Sequence, residues 1–297
     1  MSNQILKGQI PDWISQHLPS CLESRFFQSS LGKIHYLTGG NGKPIIFIHG
    51  NPTWSFLWRK VIKNLDRSAH SFFAPDLLNL GFSDSLKGRQ FSMENHCRAL
   101  VEWLRELDLQ EMTFVVQDWG GPIGLYTAAQ LQERVQSLVI LNTGIAAPEP
   151  PFKISKFHSF VNRPILPDIM FRLFGMPMYS LHKVQGDSSS IQGEVARAYR
   201  YPIRIKKRWD SALKFARMVP CRSDDAALPL FHEMESFCRN FTGPVEVVWG
   251  ERDPILGRAV KKVRSVLPQA HYTLTNAGHF LQEEVPEEIA AAIMRVQ

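Results

Sequence analysis

The stretch Thr113-Phe114-Val115-Val116-Gln117-Asp118-Trp119-Gly120-Gly121-Pro122-Ile123-Gly124 decides the fold. A β-branched run enters an acidic residue, passes two glycines and opens into a helix-forming segment. That order is the strand, sharp turn and helix of a nucleophile elbow, in which a strained turn lifts one side chain clear of a sheet edge. Gly120, two after the acid, allows the close helix–strand approach such a turn needs. Where the G-x-S-x-G pattern carries serine this chain carries Asp118, and Val116 replaces the first glycine. A carboxylate cannot perform serine-type acyl transfer, but it is a competent nucleophile towards an alkyl carbon. A helix N-cap role would explain Asp118 alone. It leaves the partners below unexplained.

Three further segments repeat the strand-then-loop form. The run from Ile45 ends in His49-Gly50-Asn51-Pro52, the position that supplies an oxyanion loop in this architecture. His49 reads as a packed loop histidine. Asn51 reads either as a turn former before proline or as a side-chain amide directed into a pocket beside a reacting centre. The run Val245–Trp249 leads into a loop with Asp253, and His271–Thr275 leads into Gly278-His279. Each ionisable residue would be unremarked alone. Together, Asp118, Asp253 and His279 follow the nucleophile, acid, histidine order of an α/β-hydrolase.

Outward from these motifs, buried-strand runs are expected at Ile45–His49, Ser71–Ala74, Thr113–Gln117 and Ser137–Leu141, with two more near the C-terminus. Helical segments lie between them: Met93–Leu107 places Cys97, Leu100, Leu104 and Leu107 at helical spacing, and Gly124–Leu131 opens another. Such alternation predicts an α/β fold, a mostly parallel sheet with helices on both faces. Over residues 146–225 the texture changes. Strand runs stop, prolines punctuate, and Phe157, Phe160, Phe171, Phe174, Met176 and Met178 crowd together. Plain packing accounts for many such stretches. Its place after a strand end, where open α/β sheets bind ligands, predicts a helical cap over a pocket. The core domain would then be residues 1–145 and 226–297.

Composition narrows the classes. With 44% apolar and 21% charged residues the chain is of globular type. It lacks an apolar run of bilayer length and an apolar leader before residue 16. Cys21, Cys97, Cys221 and Cys238 are scattered without metal-ligand spacing, so reduced thiols, a cytoplasmic setting and no metal are expected. The net charge of +6 comes from residues 151–220, where 13 Lys/Arg face 4 Asp/Glu. The densest run, Arg204 to Arg208, is short and lacks a nucleic-acid fold signature, so it reads as a solvated helix face rather than a phosphate tract.

The motifs HGNPTW (49–54), QDWGGP (117–122), GERDPI (250–255) and GHFLQEE (278–284) resemble those of the haloalkane dehalogenases over nearly the whole chain. The resemblance implies an α/β-hydrolase fold and a small halogenated alkane as substrate, with halide, a primary alcohol and a proton as products. It needs no cofactor. It further implies that Asp118 displaces halide and forms an alkyl ester, with the Trp119 indole and the Asn51 amide binding the halide. His279 would be the general base, Asp253 the triad acid, and the Asn51 and Trp119 backbone N–H groups the oxyanion donors. Some members place the acid at the position of Asn142; Glu149, seven residues on, is expected to fall out of reach. Trp209 is the only tryptophan in the cap. An Asp acid with Asn and Trp halide binders resembles the family's third subgroup.

Two other readings stay open. An epoxide hydrolase shares the Asp nucleophile and would draw acid assistance from cap tyrosines, here Tyr179, Tyr199 and Tyr201. Asn51 speaks against it, since an aromatic residue is usual there. A non-hydrolytic binder or a coelenterazine-type luciferase could also use the scaffold.

Overall fold

In the computed structural model, which describes residues 10–152 and 155–297, the β-branched runs form the middle of one eight-stranded sheet. Residues 1–9, part of the segment read as carrying no leader, lie outside the described residues. The strands are β1 (Glu23–Ser29), β2 (Gly32–Gly40), β3 (Lys43–Ile48), β4 (His70–Pro75), β5 (Met112–Gln117), β6 (Val135–Leu141), β7 (Val245–Gly250) and β8 (His271–Thr275). Their order is β1-β2-β4-β3-β5-β6-β7-β8; β2 pairs antiparallel with both β1 and β4, and the other pairings are parallel. All six residues of β5 and of β7 are buried, as strands covered on both faces must be.

The helices are α1 (Asp12–Ser15), α2 (Arg59–Lys63), α3 (Met93–Leu107), α4 (Gly120–Ala129), α5 (Lys156–Val161), α6 (Leu166–Phe174), α7 (Gly193–Ile205), α8 (Ser211–Arg217), α9 (Leu228–Asn240), α10 (Val260–Val266) and α11 (Pro286–Arg295). Helix α3 has the bounds its spacing predicts. Ser92 caps it by accepting the Asn95 N–H, Met93, Cys97, Leu100 and Leu104 are buried, and Asp108 in a left-handed conformation ends it. Helix α3 packs on α4 and α4 on α9, while α11 packs on α2 and β7.

Two differences from the sequence reading have physical causes. The β1–β2 hairpin was not expected, because its polar, half-exposed edge strand gives no buried apolar run. Helix α4 starts at Gly120 rather than Gly124. Its Gly-Gly-Pro opening looks like a turn, yet proline is tolerated in a first helical turn, where its missing N–H has no intrahelical partner to lose.

The strand order has one consequence for the site. From β3 the chain steps outward to β4, then returns to lay β5 on the other side of β3, so the winding reverses between β3 and β5. Ligands bind at such a switch point, beyond the carboxyl ends of the strands. The register pairs Ile48 with Val116, which sets the loop after β3 beside the turn after β5.

Between β6 and β7 run α5 to α9, with no strand among the described residues. Val161, Phe171, Ala212, Leu213 and Ala216 form a second small core there. Helix α7 is fixed to the rest by a buried ionic cluster. Arg59 grips Glu283 with two bonds of 2.6 and 2.8 Å, and the Tyr199 hydroxyl donates to the same carboxylate. The Trp54 indole adds a bond to the Ala198 carbonyl at 3.2 Å. At the end of β4, buried Asp76 accepts the Ser55 and Phe82 N–H groups, both at 2.8 Å, and lies 2.7 Å from His35 Nδ1.

Candidate active site

Asp118 has φ = 50°, in the left-handed region that L-residues rarely occupy. Its own backbone is over-determined: its N–H donates to the Asn142 carbonyl at 3.1 Å, and its carbonyl accepts from Thr143 Oγ1 at 2.6 Å and the Gly121 N–H at 3.0 Å. The neighbouring glycines are required by contact. A Cβ on Gly120 would collide with the Ile48 carbonyl, and one on Gly50 with the Asp118 carboxylate itself. The strained turn therefore persists because its surroundings leave it no room to relax.

The two carboxylate oxygens of Asp118 meet different neighbours. Oδ1 accepts the Asn51 backbone N–H at 2.7 Å, and the Trp119 backbone N–H also favours the charged form. Oδ2 lies 3.6 Å from His279 Nε2. His279 Nδ1 is 2.8 Å from Asp253 Oδ2, which fixes the proton on Nδ1 and leaves Nε2, with Gln117 Nε2 3.4 Å away, as the unprotonated nitrogen. Asp118, Asp253 and His279, from three separate loops, thus converge in one line.

Burial raises the pKa of Asp118, against the lowering effect of His279 and the two backbone N–H groups. For His279, burial acts to lower the value, but the Asp253 carboxylate and then the Asp118 charge outweigh it and leave it above the ordinary imidazole range. Burial acts to raise Asp253, yet His279, the Asn142 amide and the Ile255 N–H hold it below the usual carboxylate range.

Trp119 sits against Phe215 of α8 and Phe231 of α9, with ring centroids 6.1 and 6.3 Å away, so the side of the site facing α8 and α9 is apolar. The Asn51 Nδ2 donates to the Ala212 carbonyl of α8 at 3.1 Å, while its Oδ1 is buried without a partner among the described residues. The amide predicted to face a reacting centre therefore also touches α8.

Other residues fall outside the cluster. His49 Nδ1 bonds the Gly50 carbonyl and Nε2 accepts the Leu77 N–H, the packed role expected. Glu149 is exposed. Trp209 stacks on Tyr179, whose ring also lies beneath Arg200. Tyr201 packs edge-on against Trp13, and Tyr199 is held by Glu283. Of the three, Tyr199 alone has its hydroxyl hydrogen-bonded among the described residues.

Asn142 is the residue the sequence reading undervalued. It was noted only as the absence of a glutamate. Its Nδ2 donates to Asp253 Oδ2 at 2.8 Å and to the Gly250 carbonyl at 3.0 Å, and its Oδ1 accepts the Gly250 N–H at 2.7 Å. Gln117, unassigned within its motif, donates from Nε2 to the His279 carbonyl at 3.1 Å. A buried polar residue at a strand end was the available signal for both.

Among the described residues no helix is long and apolar enough to cross a membrane, and no group of His, Cys, Asp or Glu could hold a metal ion. The four cysteines are free thiols.

A family model described as the alpha/beta hydrolase fold matches residues 43–163. A haloalkane dehalogenase of Mycolicibacterium paratuberculosis is 32% identical over 275 residues, with 89% of this chain and 87% of that protein covered. Haloalkane dehalogenase 2 of Mycobacterium tuberculosis is 30% identical over 295 residues, covering 92% and 94%. Among solved structures, the tetrameric haloalkane dehalogenase DpaA from Paraglaciecola agarilytica NO2 aligns with a TM-score of 0.78 at 26% identity, over 96% of each chain.

Proposed function

Because the chain belongs to the haloalkane dehalogenase family, a group of hydrolases acting on carbon–halide bonds, we propose that it dehalogenates haloalkanes in two steps through an ester on Asp118. The observation that carries this reading is the division of labour between the Asp118 oxygens: Oδ1 is held by the Asn51 N–H at 2.7 Å, and Oδ2 faces the site beside His279.

In the first step Oδ2 attacks the halogen-bearing carbon in line. The C–O bond forms as the C–halogen bond breaks, and the electron pair leaves on the halide. The Trp119 indole N–H and the second Asn51 amide hydrogen donate to the departing anion, placing donors where charge develops. The apolar wall of Phe215 and Phe231 suits an alkyl chain and keeps the carboxylate poorly hydrated, which strengthens it as a nucleophile.

In the second step a water attacks Cγ of the ester while His279 Nε2 takes its proton. The carbonyl oxygen of the ester is the former Oδ1, already held by the Asn51 backbone N–H, and the Trp119 N–H would add the second donor to the tetrahedral oxyanion. Asp253 orients the ring and stabilises the imidazolium. Collapse releases the alcohol and restores the carboxylate, and the proton leaves from His279 to solvent. Alkylation also removes the Asp118 charge, one of the influences raising the His279 pKa. The ester therefore makes its own base more available.

The cap proposed is residues 146–225, inserted in a core of 1–145 and 226–297. The Asp253 acid with Asn51 and Trp119 donors is in keeping with the third subgroup, and the free thiols suit a cytoplasmic setting. The commitment of the Tyr199 hydroxyl to Glu283 removes one of the three tyrosines from epoxide opening. The test is to incubate the protein with 1-bromobutane or 1,2-dibromoethane and follow free bromide and acid release. Absence of halide release across a broad haloalkane panel, with turnover of styrene oxide, would sink the reading.

A further inference from the structure

His279 sits on a loop that is hydrogen-bonded to residues 184–187, between β6 and β7. Its backbone N–H donates to the Val184 carbonyl at 2.8 Å. The next residue, Phe280, exchanges two bonds with the Gln185 side chain: its N–H donates to Oε1 at 2.9 Å and its carbonyl accepts from Nε2 at 3.1 Å. The Glu284 carboxylate then ties both segments together. Oε1 accepts the Gly186 N–H at 3.0 Å and the Gly278 N–H at 3.2 Å, and Oε2 accepts the Asp187 N–H at 2.9 Å.

Two glycines face each other across this seam. A Cβ on Gly278 would run into the backbone of Val184 to Gly186, and one on Gly186 into the Asn276 carbonyl. The two main chains touch without side chains between them, so a shift of either is passed directly to the other.

We propose that Gln185 and Glu284 are positioning residues for His279, zipping cap residues 184–187 to loop residues 278–284, and that they govern ester hydrolysis while leaving halide displacement alone. The inference rests on the two-step reading above. Displacement uses Asp118, Trp119 and Asn51, whose hydrogen bonds run to the loop after β6, to α8 and to the loop after β3; their one approach to the seam is Asp118 Oδ2, 3.6 Å from His279 Nε2. Hydrolysis depends on where Nε2 sits, and Nε2 is carried by the seam. Misplacing a reacting group by about 1 Å costs a factor on the order of 100 in rate.

The experiment is rapid-quench kinetics with 1,2-dibromoethane, counting bromide per site and weighing the intact protein. It compares wild type, Gln185→Leu, Glu284→Ala, Glu284→Gln and His279→Phe. In Gln185→Leu and Glu284→Ala the displacement rate should stay within about twofold of wild type while hydrolysis falls roughly 10- to 100-fold, with one bromide released in a burst and the alkyl adduct accumulating. Glu284→Gln keeps an oxygen for Gly186 and Gly278 and loses only the Asp187 contact, so it should recover most of the hydrolysis rate. A merely structural loss would lower both steps together and produce no burst. That result, or unchanged hydrolysis in both variants, overturns the proposal. If Gln185→Leu does not fold, the Glu284→Ala and Glu284→Gln pair decides it. His279→Phe separates the two layers: without an adduct there, the two-step reading itself fails, whereas an adduct there and none in the seam variants rejects the seam alone.

Discussion

Asn142 Nδ2 and His279 Nδ1 each lie 2.8 Å from one oxygen, Oδ2 of Asp253. That oxygen is therefore fixed from two sides before any substrate arrives. The other oxygen accepts the Ile255 N–H at 2.7 Å, so the carboxylate has no rotational freedom left. Replacing Asn142 with Ala should slow hydrolysis roughly 10- to 100-fold, the usual cost of removing a buried orienting partner. Asp253→Asn should cost on the order of 10⁴-fold, because it permits the wrong imidazole tautomer. The two act through one contact, so the double variant should be little worse than Asp253→Asn alone. Additive losses in a double-mutant cycle on kcat would refute the link.

In the proposed mechanism Asn51 and Trp119 would contribute twice each, by backbone and by side chain, and mutation reaches only the side-chain part. Trp119→Phe and Asn51→Ala should each slow displacement about 10²- to 10³-fold, as removing a donor to developing negative charge does. The hydrolysis of a preformed ester should be nearly unaffected, since the backbone donors remain. Single-turnover bromide release checks the first expectation, and decay of the adduct the second. Bromide titration of wild-type tryptophan fluorescence should show binding that Trp119→Phe abolishes.

The pH dependence follows from the sign of the His279 shift. Its pKa lies above the ordinary imidazole value, so the general base is protonated and idle over a wider acidic range than a free histidine would be. Hydrolysis should rise with pH through that value. Asp118→Asn removes a negative charge 3.6 Å from Nε2 and should move the His279 titration downward. Following the imidazole proton resonance against pH in both proteins tests this; an upward or absent shift would contradict it.

Asp76 gives a prediction about stability rather than rate. Burial opposes its charge, but His35 and the Phe82 N–H prevail and hold its pKa at about 2. The folded value lies below the unfolded one. Its contribution is therefore present above the ordinary carboxylate range and lost as pH falls from there towards about 2. Asp76→Ala leaves His35 and two buried N–H groups without their acceptor and should cost about 3–5 kcal/mol in urea denaturation at neutral pH. The difference from wild type should shrink as the pH is lowered through the acid range.

The sequence carried the site's polarity of order well and its contacts poorly. Asp118, Asp253 and His279 were readable because each stands in a loop after a strand-like run, fully buried in β5 and β7 and only half-buried in β8, a local signal. Strands β5 and β8 were bounded to within a residue for the same reason. Gln185 and Glu284 were not readable, because their bond partners lie almost a hundred residues away and nothing local marks a glutamine as a clamp. The Asn51 contact with Ala212 and the Tyr199 contact with Glu283 are equally nonlocal. The tyrosine case mattered most, since composition alone left all three cap tyrosines available to a ring-opening reaction.

The Arg59–Glu283–Tyr199 cluster divides unequally between α7 and the rest of the chain. Arg59 and Glu283 both lie outside α7, so swinging α7 away would leave their ion pair whole and break the Tyr199–Glu283 and Trp54–Ala198 hydrogen bonds. A hydrogen bond to a charged group is worth about 1.5–3 kcal/mol, so a conformer opened at α7 would hold on the order of one molecule in a hundred. Under the proposed cap, a neutral phenol rather than the ion pair would set how readily α7 lifts.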